Sequence, residues 1–289
     1  MKKYMLIALS ILVPLLPLET SACTIFSAVA ANGQVWNGNN EDGPLGTPTY
    51  INVFPKSASA LYGYYTLSYN STKNGTNGNI QGGMNEAGLT FDFNALEHSY
   101  EVVGMDKKKR FPKGDAAILP YILANLSTAE EVVSFFNEYW FQGGFTSAQM
   151  HVADRFGHFA IVSPSGSRVI SDGKPQVSTN FRVCGGTKEE AATCWRFPIA
   201  TEKLRTHDAN LESFTDIAAS TAQNGGGGGT LYSNIQNLST GEIWFYFERD
   251  YRAPFQTSLR ELLSLGRKSY LMQDLKGRRG FAASSQTRG

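Results

Sequence analysis

Cys23 stands where an export signal ends and a β-hairpin begins, so the folded domain is expected to open on a strand whose first residue bears a thiol. Residues 1–22 carry Lys2 and Lys3, an apolar run from Tyr4 to Leu18 broken by Ser10, Pro14 and Pro17, then Glu19-Thr20-Ser21-Ala22. Charged, apolar and small segments in that order mark a secretory signal. The run is shorter than the ~20 apolar residues of a spanning helix and holds two prolines. Cleavage is expected after Ala22, which leaves an exported chain, periplasmic or secreted, that begins with Cys23. A lipoprotein signal also places a cysteine here, but normally with Leu three positions earlier, where this chain has Thr20.

Loss of Lys2, Lys3 and Glu19 leaves 24 basic and 24 acidic side chains among 267 residues. A balance near zero gives no general attraction to nucleic acid or to an anionic membrane, and the oligomeric state is not readable. The length is enough to bury a full core, and no Pro/Ser-rich linker divides it, so a single domain is expected over 23–275. From Lys276 the composition turns to Gly, Ser, Arg and Lys, which reads as a disordered basic tail over 276–289.

Thr24 to Ala30 is β-prone, Asn32-Gly33 is a type I′ hairpin signal, and Gln34-Val35-Trp36 starts the return strand. A two-residue loop would set Ala31 opposite Gln34 and Cys23 opposite Asp42. Further strands are expected at Gly88 to Leu96, His151 to Ala153, His158 to Val162, Arg168 to Ser171, Leu231 to Asn237 and Glu242 to Glu248. The turns Pro164-Ser165-Gly166 and Ser239-Thr240-Gly241 join successive members of that set. Helices are expected at Asp115 to Asn125, at Ala129 to Trp140 behind a Ser127-x-x-Glu130 capping box, and at Phe197 to Arg205, Leu211 to Ala222 and Thr257 to Leu265. Antiparallel strands with grouped helices indicate an α+β fold rather than parallel βαβ units.

Cys184 and Cys194 could pair across nine residues in an oxidising compartment or remain free. Neither belongs to a Cys-x-x-Cys pair, and no His-Glu-x-x-His cluster occurs, so no metal is expected. The five glycines Gly225 to Gly229 read as a flexible loop. They lack the Gly-Lys-Ser/Thr ending of a phosphate-binding loop, so no cofactor is expected either.

A free α-amine titrates near ~7.7–8.0 and a cysteine thiol near ~8.5, so an N-terminal cysteine carries its own base. The amine can take the thiol proton directly or through water, with a carboxylate such as Asp42 holding it in place. No histidine is required.

Cys23-Thr24-Ile25-Phe26 followed by Gly38-Asn39-Asn40-Glu41-Asp42 resembles the opening of the choloylglycine hydrolase and penicillin V acylase family of N-terminal-nucleophile hydrolases, which show Cys-Thr and then Gly-Arg-Asn-x-Asp. Gly83-Met84-Asn85-Glu86-Ala87-Gly88-Leu89 is similar to that family's Gly-Met-Asn-Glu-Lys-Gly-Leu. Thr179-Asn180-Phe181, Trp195-Arg196-Phe197 and Thr230-Leu231-Tyr232-Ser233 follow in family order. The resemblance implies a four-layer αββα sandwich and hydrolysis of a linear, non-peptide C–N amide in a small molecule. It implies Cys23 as nucleophile, Asp42 beside the α-amine, Asn180 as an oxyanion donor with a backbone N–H near Asn94, and Arg196 beside the thiol.

Asn39 departs from the pattern, since it stands where the family usually has arginine. An amide supplies neither a permanent cation nor a bidentate fork, so the charge near the thiol must differ and the family's best-known substrates are in question. Acyl transfer, a cysteine dipeptidase, and a non-catalytic lipoprotein anchored through Cys23 remain as alternatives. The aromatic stretches Tyr62 to Tyr69 and Phe135 to Phe145 suit either an acyl pocket or core packing. Asn85 and Glu86 read as turn residues.

Overall fold

The computed structural model describes residues 23–69, 79–142, 145–225 and 228–281, so the expected export signal lies outside the described residues. The strands are β1 (Thr24–Val29), β2 (Val35–Pro44), β3 (Tyr50–Phe54), β4 (Tyr64–Ser68), β5 (Ile80–Asn85), β6 (Thr90–Ala95), β7 (Lys109–Arg110), β8 (Tyr139–Trp140) and β9 (Ala148–Ala153). They continue as β10 (Phe159–Ser163), β11 (Gly166–Ile170), β12 (Gln176–Ser178), β13 (Asn224–Gly225), β14 (Gly228–Asn237), β15 (Glu242–Phe247), β16 (Phe255–Ser258) and β17 (Lys268–Leu271). The helices are α1 (Ile118–Asn125), α2 (Ala129–Glu138), α3 (Lys188–Ala192), α4 (Arg196–Thr206), α5 (Leu211–Thr221) and α6 (Leu259–Ser264).

Two antiparallel sheets face each other. The first runs β12-β1-β2-β14-β15-β16, with β13 on β14, and the second runs β11-β10-β9-β6-β5-β4-β3-β17. Between them lies a core that includes Ile51, Val53, Tyr65, Met84, Phe159 and Phe245. On the outer face of the second sheet α1 and α2 bury Ile118, Ile122, Val132 and Phe136. On the outer face of the first, α4 and α5 cover Phe26, Trp36, Ile235 and Trp244 with Ala200, Phe214 and Ile217. Both faces of each sheet are therefore apolar over much of their area, and the expected αββα layering is observed. Among the described residues no helix is long and apolar enough to cross a membrane.

The first hairpin differs from its expected form by one residue, and the difference matters for the site. Ala30 N donates to Gln34 O and Gly33 N to Ala30 O, both at 2.8 Å, so the loop has three residues and Gly33 takes φ +82°. That is a turn closed by a glycine bulge, and it shifts the register by one position. Thr24 pairs with Asn40 and Ile25 with Asn39, so by extension Cys23 faces Glu41, not Asp42.

Other expectations are corrected in the same way. The capping box of α2 is Thr128 with Glu131, one residue later than expected, because the Glu131 carboxylate reaches back to the Thr128 N–H at 3.1 Å. Thr257 belongs to β16, so α6 begins only after its Ser258 cap. Cys184 and Cys194 are free thiols. Of the glycine run expected as a loop, Gly225, Gly228 and Gly229 are in strands: Asn224 pairs with Gly229 and Gly225 with Gly228, while Gly228 and Gly229 also pair with Pro44 and Gly43, and Gly226 and Gly227 lie outside the described residues. The start of the basic tail is packed, with Phe281 against Phe255 and Tyr270 at ring separations of 4.9 and 4.8 Å. Residues 282–289 lie outside the described residues.

Gly83 is where β5 meets its neighbours most closely. A Cβ there would stand 2.3 Å from the Tyr65 carbonyl oxygen and 2.8 Å from Leu123 Cδ1. Backbone cannot yield as a side-chain tip can, so Gly83→Ala is expected to lower unfolding free energy by about 2–3 kcal/mol. Urea denaturation measures it.

Candidate active site

Cys23 is buried at the entry to β1, and its main chain is fixed before its side chain is considered. Its carbonyl accepts from Arg196 Nη1 at 2.9 Å and from Asn94 Nδ2 at 3.1 Å. The same Arg196 nitrogen donates to Thr24 Oγ1 at 3.0 Å, and Nη2 donates to Asn180 Oδ1 at 3.0 Å. Arginine has donors only, so its contact fixes which end of the Asn180 amide is oxygen. The Asn180 nitrogen is thereby turned to the Ala95 carbonyl, 2.7 Å away. Arg196 is the first residue of α4 and is 4% exposed, and Asn180 follows β12, which pairs with β1. Sheet pairing and helix docking thus bring residues from 23, 94, 180 and 196 to one place.

Asp42 lies on the same side. Its carboxylate accepts from Thr230 Oγ1 at 2.5 Å and Gln223 Nε2 at 2.6 Å, and stands 3.8 Å from Arg196 Nη1. Strand β14 has a bulge here, so that Thr230 pairs with Asp42 and Tyr232 with Glu41. Bulges re-aim side chains in this manner. Burial pushes the Asp42 carboxyl up to about 6, with Thr230, Gln223 and Arg196 opposing the shift.

Alternation along β2 sends Asn39 and Glu41 to the other face, into the space between the sheets. Asn39 Nδ2 donates to Asp92 Oδ2 at 2.8 Å, and Tyr69 donates its hydroxyl to Glu41 Oε1. The opposing strand leaves room for Asp92 only because residue 82 is glycine, where a Cβ would stand 2.5 Å from the carboxylate. Glu41 is 1% exposed, and its Oε2 has no hydrogen-bond partner among the described residues. Burial raises its carboxyl to about 7, opposed by Tyr69, Asn39 and Cys23 and assisted by the Asp42 charge. Asp92 is raised as well, by burial and then by Glu41. Cys23 is pushed well up by burial first, then by the Glu41 and Asp42 charges, with the Asp42 backbone N–H opposing. While its α-amine is tied in a peptide bond, the thiol is held protonated.

The thiol opens on a cavity of about 600 Å³. Phe93, Phe141, Phe145, Ile80 and Leu119 supply its apolar wall, with the Phe93–Phe145 and Phe141–Phe145 rings 5.5 and 5.3 Å apart. The two aromatic stretches are divided in function: Tyr69, Phe141 and Phe145 reach the cavity, while Tyr65, Phe136 and Trp140 are core. A second cavity of the same size holds Asn180, Arg196, Tyr100 and Trp195, and Ala95 lines both. Asn85 is a turn residue, accepting from Leu89 N and donating to the Leu123 and Leu126 carbonyls at the end of α1.

Penicillin V acylase from Agrobacterium tumefaciens superposes on this chain with a TM-score of 0.60 and 18% identity, covering 86% of this chain and 90% of that one. Two variants of the conjugated bile acid hydrolase from Clostridium perfringens, one with cysteine changed to alanine and one with arginine changed to leucine, give TM-scores of 0.60 and 0.62 at 14% identity. Each covers 86% of this chain and 96% of its own. The fold is that of the N-terminal-nucleophile hydrolases. No family model and no curated protein matches the sequence.

Within this Ntn-hydrolase fold, four residues at or behind the thiol escaped the sequence reading: Glu41, Tyr69, Asp92 and Gln223. Glu41 was legible in the Asn-Asn-Glu-Asp block once the hairpin loop is given three residues. Asp92 and Tyr69 arrive from the opposite sheet and carry no local signal. Away from the thiol, Glu130, Asp154 and His158 bring ligand atoms within 4.8 Å of one another. Asp154 there already accepts from the Ala129, Phe156 and His158 backbone N–H groups, which is the work of a turn and helix-start residue.

Proposed function

We propose that the exported, processed chain hydrolyses a linear non-peptide amide of a small molecule, with Cys23 as N-terminal nucleophile. The observation that carries this reading is the convergence of Arg196 and Asn94 on the carbonyl of Cys23, with Asn180 held by the same guanidinium and Asp42 next to it. Such a frame fixes one residue's backbone so that its side chain and its α-amine meet a substrate in a set geometry. Once the amine is free it accepts the thiol proton, sulfur adds to the amide carbonyl, and the α-ammonium returns the proton to the nitrogen as the C–N bond breaks. Water then adds to the thioester and restores the thiol.

Asn180 Nδ2 carries two hydrogens, and Ala95 takes one, which leaves one for the developing oxyanion. Donors of this kind contribute about 3 kcal/mol to the transition state. The Asn94 side chain steadies the Cys23 carbonyl, and a backbone N–H near Asn94 is the second oxyanion donor.

The test is intact mass and N-terminal sequencing of the exported protein, then stoichiometric labelling with iodoacetamide and turnover of fatty-acyl, bile-acid, phenoxyacetyl and aminoacyl amides. A free, singly labelled Cys23 with turnover that vanishes in Cys23→Ser is expected. A lipidated Cys23, or hydrolysis that persists in Cys23→Ser, would overturn the reading.

A further inference from the structure

We propose that the cavity at Cys23 takes amides whose acyl half is an apolar group bearing a protonated amine close to the scissile carbonyl, with Glu41 as the partner of that ammonium. This rests on the amide hydrolase reading above and narrows its substrate.

The sign of the cavity comes first. Glu41, Asp42 and Asp115 open onto it, and among the described residues lining it there is no lysine, arginine or histidine. Asp42 is already held by Thr230 and Gln223 and faces Arg196, and Asp115 Oδ2 accepts the Gln142 N–H at 2.8 Å. Glu41 is the one of the three that the hairpin register sets across from Cys23, and its Oε2 is buried without a hydrogen-bond partner among the described residues. Behind it stands Asn39, whose neutral amide donates to the Asp92 carboxyl where an arginine would have supplied a positive charge. Arg196 faces Asp42 and does not line the cavity, so no side-chain cation among the described lining residues neutralises Glu41. A cationic substrate group can pair with Glu41, and an anionic one meets only carboxylates among the charged side chains of the lining.

Position comes next. The shifted hairpin register sets Glu41 across from Cys23, and residues facing each other on paired strands have Cβ atoms ~5 Å apart. An ammonium on Glu41 is thus only a few bonds from the carbonyl that sulfur attacks. The remainder of the acyl group, bonded to Cys23 in the thioester, then runs along the wall of Phe93, Phe141 and Phe145.

The experiment compares kcat/KM of the processed protein at fixed pH 8 for phenylalanine p-nitroanilide, for 3-phenylpropionyl p-nitroanilide, which lacks only the ammonium, and for an analogue with a carboxylate in its place. At least a tenfold preference for the ammonium substrate is expected over the neutral one, and more over the anionic one. In Glu41→Gln the ratio of ammonium to neutral substrate should fall at least tenfold, whatever happens to the absolute rates. Equal or better turnover of the neutral or anionic substrate, or a ratio unchanged in Glu41→Gln, overturns the proposal. If no amide is cleaved, the hydrolase reading is what fails, and protection of Cys23 from iodoacetamide decides the cavity's preference separately. Phenethylamine should slow alkylation severalfold where 3-phenylpropionate does not, and equal protection by both rejects the proposal.

Discussion

Arg196→Ala is expected to lower kcat by roughly 10²–10³ and to destabilise the fold by about 3–5 kcal/mol at pH 8, the scale of one lost oxyanion donor and one broken buried ion pair. The size follows from how many groups one guanidinium serves. It holds the Cys23 carbonyl, the Thr24 hydroxyl and the Asn180 oxygen, and stands 3.8 Å from Asp42. Its removal frees the Asn180 amide to turn over, so that oxygen rather than N–H can face the reacting carbonyl. It also leaves the Asp42 carboxylate buried with only neutral donors. Arg196 lowers the Asp42 carboxyl, which sits at about 6 even so, and without it the carboxyl rises further. The folded chain then keeps a proton that the unfolded chain has released, so the cost of the substitution grows as pH rises. Unfolding free energies at pH 5 and pH 8 test this: a cost at pH 5 equal to or above that at pH 8 contradicts the assigned pairing. Arg196→Lys should recover part of the stability and little of the rate, since one ammonium cannot reach three acceptors in a plane.

How much of this was legible before the structure depends on the range of the interaction that decides each feature. Cys23, Asn180 and Arg196 lie at strand or helix ends and Asn39 and Asp42 within β2, and all five stand in short sequence blocks that can be read locally. The α+β class follows from hairpin turns and capped helices, which are also local. The register of the first hairpin failed because Asn32-Gly33 serves both a two-residue loop and the last two residues of a three-residue loop, and only the pairing with β12 and β14 separates them. The edge strand β17 pairs with β3 across most of the chain, so no local turn signal announces it. Gly228 and Gly229 took strand form because they pair with β2, an interaction that composition does not reveal. The acidic cluster was invisible for the same reason: Asp92 and Tyr69 come from one sheet and Glu41 from the other, and nothing near any of them in sequence announces the meeting.

That cluster gives the molecule a pH dependence of stability opposite to that of a domain held by paired carboxylates. With residues still attached ahead of Cys23, unfolding free energy is expected to fall by about 3 kcal/mol from the Glu41 carboxyl alone as pH rises from about 4.5 to above 7. Its ordinary value of 4.5 is raised to about 7 by burial, so between these limits the unfolded chain has lost the proton while the folded chain retains it. The folded state binds more protons there, and raising the pH favours unfolding. The burden is absent below about 4.5 and complete above about 7. Asp42, raised from 3.8 to about 6, adds a fall of the same sign over a lower window. Cleavage at Cys23 places an ammonium among these acids. It favours both charged carboxylates, draws their titrations downward and flattens the curve, so the processed chain should gain stability on the unprocessed one chiefly above pH 6. Glu41→Gln, which keeps an acceptor for Tyr69 and removes the charge, should flatten the unprocessed curve between pH 6 and 8. Urea denaturation at pH 5, 6, 7 and 8 for the three proteins separates the cases, and an unprocessed chain more stable at pH 8 than at pH 5 would show that the carboxylates find a cation elsewhere in the fold.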